Sequence, residues 1–287
     1  MPTPELQAEI TSVGLIQLCA GEDVGSNLAT ASHLISQAVS EGASVVLLPE
    51  AFAYIGRDAG KREILEPLPA DSATPAPAPT PILDLCRGLA REHGIDLILG
   101  GHHESSADPA RSFNTCVHIA PDGHLAARYR KIHLFDVNLA DGTQLHESAR
   151  TLPGDRAVTT RLPFGILGLT ICYDVRFPYL YQRLVDQGAI ALSVPSAFTA
   201  TTGAAHWHTL LRARAIECQS YVLAPAQHGA HNPKRRSYGH SIIIDPWGET
   251  LAELVQGDGV VVAAIDPARV AQVRAELPSL THRRTME

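Results

Sequence analysis

The sequence predicts an α/β protein, because strand-like apolar segments alternate with amphipathic helical segments along most of the chain. Residues 12–19 and 44–48 are strand-like, and apolar residues recur at helical spacing over 28–39 between them. Later segments favour hairpins, with turns centred on Asp122-Gly123 and on 163–165. Crossovers mixed with hairpins indicate a sheet that carries helices on one or both faces.

The remaining elements follow in order along the chain. Residues 67–81 contain six prolines, which neither continue a helix nor fill a central strand, so we expect an exposed loop there. Proline is tolerated in the first turn of a helix, so a helix is expected from Pro178. The pattern predicts further helices at 82–93, 207–218 and 270–277, and strands at 95–101, 113–120, 125–131, 158–162, 166–171, 189–194, 221–225, 241–245, 250–254 and 260–265.

Composition narrows the class of protein. The chain has 287 residues and a net charge of −7, which argues against a nucleic-acid partner. The dense basic run 234–236 is interpreted as a solvated loop. Five dispersed cysteines without Cys-x-x-Cys spacing predict neither a disulfide framework nor a zinc ribbon. Without a signal-like start or an apolar run of about 20 residues, we expect a cytoplasmic protein that does not cross a membrane: a tail at 1–10 and a single domain over 11–287.

Cys172 lies in the most informative segment, Gly168-Leu-Thr-Ile-Cys-Tyr-Asp-Val-Arg-Phe-Pro178. An apolar strand precedes the thiol, and a helix-starting proline follows it, so we expect a nucleophile on a sharp strand-to-helix turn. Glu50 and Lys131 also end apolar strands, and Glu147 is a fourth candidate. Because ligands of open α/β sheets bind at the carboxyl ends of strands, these side chains are candidates for one site.

Each of these residues also has an ordinary structural explanation. Cys172 could be a packed core thiol, Glu50 a solvated strand-end carboxylate and Lys131 a surface lysine, while Asp174 and Arg176 could pair with each other. The combination favours chemistry: a general base, a cation for an oxyanion and a thiol nucleophile. The helix dipole at Pro178 and a nearby Lys131 would favour the thiolate.

Three motifs resemble the catalytic motifs of the nitrilase, or carbon–nitrogen hydrolase, superfamily. They are Leu-Pro-Glu-Ala-Phe at 48–52, Tyr-Arg-Lys-Ile-His-Leu-Phe-Asp at 129–136 and Ile-Cys-Tyr-Asp-Val-Arg-Phe-Pro at 171–178. The similarity continues through 196–207, 211–217 and 236–248. The resemblance implies a four-layer α-β-β-α sandwich, a Glu-Lys-Cys triad and an acyl-enzyme without cofactor or metal.

The resemblance also implies roles for individual residues. Glu50 would be the general base, Lys131 would hold the oxyanion, Cys172 would be the nucleophile and Glu147 would position substrate and lysine. The N–H of Tyr173 would complete the oxyanion hole. The acyl pocket would be lined by Arg176, Phe198 and Thr202. The family forms dimers of sandwiches, so the resemblance implies a homodimer or homotetramer whose other partner is a small-molecule amide.

The stretch 226–241 resembles the Nit branch of the superfamily, most of all its Nit1 type. That similarity implies hydrolysis of deaminated glutathione to 2-oxoglutarate and cysteinylglycine, a metabolite-repair reaction. An ω-amidase acting on 2-oxoglutaramate, an N-carbamoyl amino acid hydrolase and a nitrilase are the alternative enzymes; a ligand sensor and a thiol redox protein are the alternatives of another kind. Tyr179 departs from the family's usual glutamate, which puts a local ion pair in doubt.

Metal binding is not predicted from the fourteen histidines. His206 and His208 lie two residues apart on a predicted helix and therefore point in different directions. Neither they nor 102–104 match the spacing of usual zinc sites.

Overall fold

The computed structural model describes residues 8–69, 76–138 and 144–284. The predicted tail at 1–10 and proline-rich loop at 67–81 therefore fall partly outside the described residues. Within these ranges there are six α-helices: α1 (Val24–Ser40), α2 (Asp58–Glu63), α3 (Pro81–His93), α4 (Pro178–Asp186), α5 (Ala200–Cys218) and α6 (Pro267–Glu276).

Two six-stranded sheets form the centre of the described structure. The first has the order β16-β1-β2-β3-β4-β5 and the second β15-β14-β11-β10-β9-β8. Their strands are β1 (Thr11–Gln17), β2 (Val45–Leu47), β3 (Asp96–Glu104), β4 (Phe113–Ile119), β5 (Leu125–Arg130), β8 (Val158–Leu162), β9 (Gly165–Leu169), β10 (Ala191–Ser193), β11 (Tyr221–Ala224), β14 (Ser241–Ile244), β15 (Thr250–Leu254) and β16 (Gly259–Ile265).

The two sheets share one pairing pattern. In each, three consecutive strands are parallel, β1-β2-β3 or β9-β10-β11, and antiparallel strands extend the sheet on both sides. The parallel strands need crossover connections, which helices supply. The carboxyl ends of β2 and β9 therefore present their following residues, Glu50 and Cys172, at strand ends as predicted.

The layers follow from burial on both faces of the strands. Along β2, Val45 and Leu47 belong to the core that also contains Leu169 and Ile243 of the second sheet. Val46 belongs instead to a second core beneath α1 and α3. Helices α4 and α5 pack on the second sheet. This helix-sheet-sheet-helix arrangement confirms the predicted α/β class and the four-layer sandwich.

Two small hairpins were not predicted. The first joins β6 (Asp136–Asn138) to β7 (Gln144–His146), and the second joins β12 (His228–Asn232) to β13 (Arg235–Tyr238). The interpretation of 234–236 as a solvated loop was wrong for part of that run, because Arg235 and Arg236 lie in β13. No helix in the described ranges is both long and apolar enough to span a bilayer.

Candidate active site

Glu50 lies in a tight turn that follows β2. Its neighbour Ala51 has a φ of 56°, and Glu50 itself is only 6% exposed. Two glycines of β3 make room for this turn: a Cβ at Gly100 would lie 2.1 Å from the Leu48 carbonyl oxygen, and one at Gly101 would lie 2.9 Å from the Ala51 nitrogen. The Gly-Gly pair therefore lets the chain place a carboxylate in the interior.

Lys131 joins two carboxylates. It directly follows β5 and is 2% exposed, and its Nζ lies 3.0 Å from Glu50 Oε1 and 2.8 Å from Glu147 Oε2. Asn114 Nδ2 donates to Glu50 Oε1 at 2.9 Å and to Glu147 Oε1 at 3.4 Å. The Phe135 N–H donates to Glu147 at 2.7 Å. These contacts hold both carboxylates around one ammonium group.

Cys172 begins a short 3-10 helix, Cys172–Arg176, after β9. Its φ of 50° lies in the left-handed region, which L residues seldom adopt and which often marks a functional site. The Cys172 N–H donates to the Pro195 carbonyl at 2.9 Å, and Cys172 and Glu50 line one cavity. The sharp turn predicted for this residue is therefore present, and it brings the thiol to the cavity that Glu50 lines.

The protonation states follow from burial and charge. Burial opposes ionisation of Glu50, but the Lys131 ammonium and hydrogen bonds from Cys172, Lys131 and the Ala197 N–H lower its pKa to about 2. Burial also opposes the charge on Lys131, yet Glu147 and Glu50 raise its pKa well above the usual value. Glu50 is therefore a carboxylate and Lys131 an ammonium at neutral pH.

The cysteine is a neutral thiol in this arrangement. Burial raises the pKa of Cys172, and the Glu50 carboxylate raises it further, while Lys131 and the Ala197 N–H only partly offset both effects. The expectation that Lys131 would favour the thiolate is confirmed in direction, but Lys131 does not determine the protonation state. Desolvation and the adjacent carboxylate outweigh the nearby cation.

The buried carboxylate of Asp174 stabilises the turn that carries Cys172. It is fully buried, and its carboxylate accepts hydrogen bonds from the Ile171 N–H at 2.9 Å and the Tyr129 hydroxyl at 2.7 Å. His133 Nδ1 lies 2.7 Å from the same carboxylate, and its Nε2 lies 2.5 Å from the Tyr179 hydroxyl. The alternative pairing of Asp174 with Arg176 is therefore wrong, and Tyr179 makes a hydrogen bond where an ion pair was in doubt.

The residues expected around an acyl pocket lie on one side of Cys172. Tyr173, Phe198 and Thr202 line a small cavity beside the thiol. The Arg176 guanidinium lies over the rings of Tyr173 and Phe198, at 5.8 and 5.3 Å from their centroids. Arg176 Nη2 also lies 3.3 Å from His206 Nδ1. The structure therefore brings these four residues together next to the nucleophile.

A second, larger cavity of about 440 Å³ also opens onto Cys172. It is lined by Glu50, Lys131, Glu147 and Cys172, and also by Asn114, Lys61 and Arg235, which sequence reasoning missed. Arg235 could not be distinguished in the sequence from its charged neighbours. Asn114 and Lys61 carried no distinguishing signal, because they reach the site only through the pairing of β4 and the packing of α2.

One group among the described residues has the separations of metal ligands. Ligand atoms of His208, His240 and Glu253 lie within 4.8 Å of one another. Both histidines contact the same Glu253 oxygen, at 2.9 Å from His208 and 2.5 Å from His240. The neighbours of His208 are therefore His240, directly before β14, and Glu253 of β15, rather than His206.

Comparison with known proteins places this site in a family. The carbon-nitrogen hydrolase family profile matches residues 12–275. A deaminated glutathione amidase of Synechocystis sp. is 44% identical over 93% of this chain and 96% of its own length. The deaminated glutathione amidase of Bos taurus is 42% identical over 96% of this chain and 83% of its own.

Solved structures agree with the sequence matches. Saccharomyces cerevisiae Nit3, a member of branch 10 of the nitrilase superfamily, superposes with a TM-score of 0.86 at 31% identity, covering 99% of this chain and all of that one. The Caenorhabditis elegans NitFhit protein has the same TM-score at 38% identity, with 96% of this chain and 66% of that chain covered. The chain therefore belongs to the carbon–nitrogen hydrolase family and is an amide-hydrolysing enzyme.

Proposed function

We propose that the protein hydrolyses its amide through a thioester on Cys172. The observation that carries this proposal is the convergence of Cys172, Glu50, Lys131 and Glu147 on one cavity, in which Glu50 is ionised and raises the pKa of the thiol. A base within hydrogen-bond reach of a nucleophile is the arrangement that covalent catalysis requires.

In the first half-reaction the Cys172 sulfur attacks the amide carbonyl carbon while Glu50 takes the thiol proton. This transfer is coupled to carbon–sulfur bond formation, because the resting thiolate is disfavoured. The Lys131 ammonium and the Tyr173 N–H stabilise the oxyanion. When the carbon–nitrogen bond breaks, Glu50 returns its proton to the leaving nitrogen, and a thioester remains.

In the second half-reaction Glu50 takes a proton from water, whose oxygen attacks the thioester carbonyl carbon. The carbon–sulfur bond then breaks, the carboxylic acid is released, and the proton returns to the Cys172 sulfur. Glu147 contributes by position: its carboxylate holds the Lys131 ammonium at 2.8 Å and is itself held by the Phe135 N–H. Its charge also lies beside the cavity where substrate binds.

The proposed substrate is deaminated glutathione, which yields 2-oxoglutarate and cysteinylglycine. Relatives that share at least 40% identity over most of the chain carry this activity in their names. The substrate carries a carboxylate at each end. Cationic side chains beside both cavities, Arg176 at the small one and Lys61 with Arg235 at the larger one, suit a ligand of that kind.

Steady-state hydrolysis of deaminated glutathione beside 2-oxoglutaramate tests this proposal, with release of 2-oxoglutarate as the readout. We expect a kcat/KM at least about 10-fold higher for deaminated glutathione, which corresponds to roughly 1.4 kcal/mol of transition-state binding. A preference for 2-oxoglutaramate would indicate an ω-amidase instead. No release from either compound would contradict the proposed acyl group.

We further propose a homodimer or homotetramer that works in the cytoplasm. The exposed apolar side chains Ile216 and Trp247 lie close together beside Gly248 and suit self-association. The five cysteines are free, as expected of a reducing compartment. Light scattering on the eluting protein tests the oligomer, and a monomeric mass at micromolar concentration would contradict it. Fractionation of the source cells tests the compartment.

A further inference from the structure

Two cations of the larger cavity form no ion pair with a carboxylate of the described residues. Of the carboxylates that line it, Glu50 and Glu147 are held by Lys131, and Asp58 lies 3.6 Å from Arg150. Across the described ranges, no carboxylate lies within ion-pair distance of Lys61 or Arg235. Cations at the wall of a partly enclosed cavity suit an anionic ligand group.

Lys61 and Arg235 come from distant parts of the chain to the same cavity. Lys61 lies in α2 and Arg235 in β13, and both side chains are partly buried. Burial lowers the pKa of Lys61, Glu147 and Asp58 raise it, and the charges of Lys131 and Arg235 lower it by less. The charge on Lys61 is therefore disfavoured mainly by burial, a cost that a bound anion would relieve.

The position of Glu50 decides which end of the substrate lies beside these cations. Glu50 must return a proton to the leaving nitrogen, so the leaving group lies on the side of Cys172 where Glu50 is accessible. Glu50 lines the larger cavity together with Lys61 and Arg235, and it does not line the small cavity of Tyr173, Phe198 and Thr202. The cation beside the small cavity is Arg176.

We propose that Lys61 and Arg235 form a carboxylate-binding site for the leaving group, and that this site selects amides whose leaving amine ends in a carboxylate. The inference rests on the proposed function, because it assumes that a peptide is the leaving group. In deaminated glutathione the ligand is the C-terminal carboxylate of the glycine. Arg235 can bind it with two parallel hydrogen bonds, and Lys61 as a point charge.

The test compares deaminated glutathione with the same compound whose glycine carboxylate has been converted to a carboxamide. We expect the unmodified enzyme to lose about 10- to 100-fold in kcat/KM on the amide, the size of one or two lost charged contacts. Arg235→Met and Lys61→Met should each lose about 10-fold on the acid and stay within about twofold on the amide. Lys234→Met and Arg62→Met, exposed neighbours of the two residues, are matched controls and should preserve the preference for the acid.

Each outcome decides the inference. Equal activity of the unmodified enzyme on acid and amide would overturn it, and so would variants that lose activity equally on both. If a methionine variant does not fold, Arg235→Lys and Lys61→Arg decide, because each keeps a cation and should preserve most of the preference for the acid. An unmodified enzyme that hydrolyses neither peptide, yet acts on 2-oxoglutaramate, would overturn the proposed substrate and with it this site.

Discussion

Arg130 and Lys131 are neighbours in sequence, yet they serve two different ionic clusters. Arg130 Nε donates to Glu104 Oε2 at 2.9 Å, the Thr115 hydroxyl donates to the same oxygen at 2.6 Å, and the guanidinium lies 3.8 Å from the centroid of the Phe113 ring. Lys131 instead bridges Glu50 and Glu147. Both clusters contain a carboxylate that is almost fully buried beside a cation.

The difference between the clusters is the thiol. The Glu50 carboxylate and Cys172 line one cavity, whereas Glu104 accepts hydrogen bonds from Arg130 and Thr115. Glu104 and Arg130 also line a cavity, of about 510 Å³, but no cysteine lines it. A buried ion pair is by itself weak evidence of either stability or function. The reactive cluster is therefore distinguished by its nucleophile, and not by its charges or by a cavity alone.

Removing the thiol should produce the largest effect. Cys172→Ala should lower kcat by about 10⁴-fold or more, because no other group can form the thioester. Cys218→Ala is the matched control, since Cys218 is equally buried but lies at the end of α5, and it should keep most of the activity. A Cys172→Ala protein that is folded and turns over normally would refute the mechanism.

Exchanging one carboxylate in each cluster for an amide tests directly whether the two clusters have different roles. Glu50→Gln removes the base and should lower kcat by about 10²- to 10⁴-fold. Glu104→Gln should change kcat by no more than a few-fold and instead lower the free energy of unfolding by about 1–3 kcal/mol, because the charge-assisted bond from Arg130 is lost. Steady-state kinetics and urea unfolding of both variants measure the two effects. Similar losses of kcat in both would show that the clusters are not separate.

The residues at strand ends could be predicted from the sequence. Glu50, Lys131 and Cys172 each follow an apolar segment, so local pattern and chemistry were enough to propose them. Glu147 was a fourth candidate, whose role came from the resemblance. The α/β class could also be predicted, because periodicity distinguishes crossover helices from hairpins. The pairing of strands into two matching sheets could not be predicted, since it depends on contacts between distant segments.

The rest of the site depends on tertiary contacts that no local pattern reveals. Arg235 lies between Lys234 and Arg236, which are exposed, and composition alone could not separate it from them. Asp174 reaches Tyr129 across 45 positions of sequence. The sequence indicated that Lys131 favours the Cys172 thiolate, but not that burial and Glu50 outweigh Lys131, because desolvation is a property of the folded core and not of the segment.

Two adjacent histidines of β3, one near each cluster, predict how the free energy of unfolding changes in acid. His102 lies 3.4 Å from Glu66, beside the Glu104 cluster, and His103 lines the substrate cavity. Burial lowers the pKa of His102 to about 4 and, with Lys61, that of His103 to about 3. Between pH 6.5 and 4 the unfolded chain therefore takes up protons that the folded chain does not, and stability falls as the pH falls.

We expect the free energy of unfolding to drop by a few kcal/mol, on the order of one to two per histidine, from pH 7 to pH 5. His102→Asn and His103→Asn should each remove part of that drop. Urea unfolding at the two pH values measures it. A drop as large in both buried-site variants as in the unmodified protein would contradict these assignments.

The smallest expected effect is the absence of a thiolate signal from Cys172. Because burial and the Glu50 carboxylate raise the pKa of Cys172, thiolate absorbance near 240 nm should not appear below about pH 8 in the difference between the unmodified protein and Cys172→Ala. In Glu50→Gln the repelling charge is gone, so the thiol should ionise at a lower pH than in the unmodified protein. A thiolate already present at pH 7 would show that Lys131 outweighs the carboxylate, and the proton transfer to Glu50 would then precede substrate binding instead of accompanying attack.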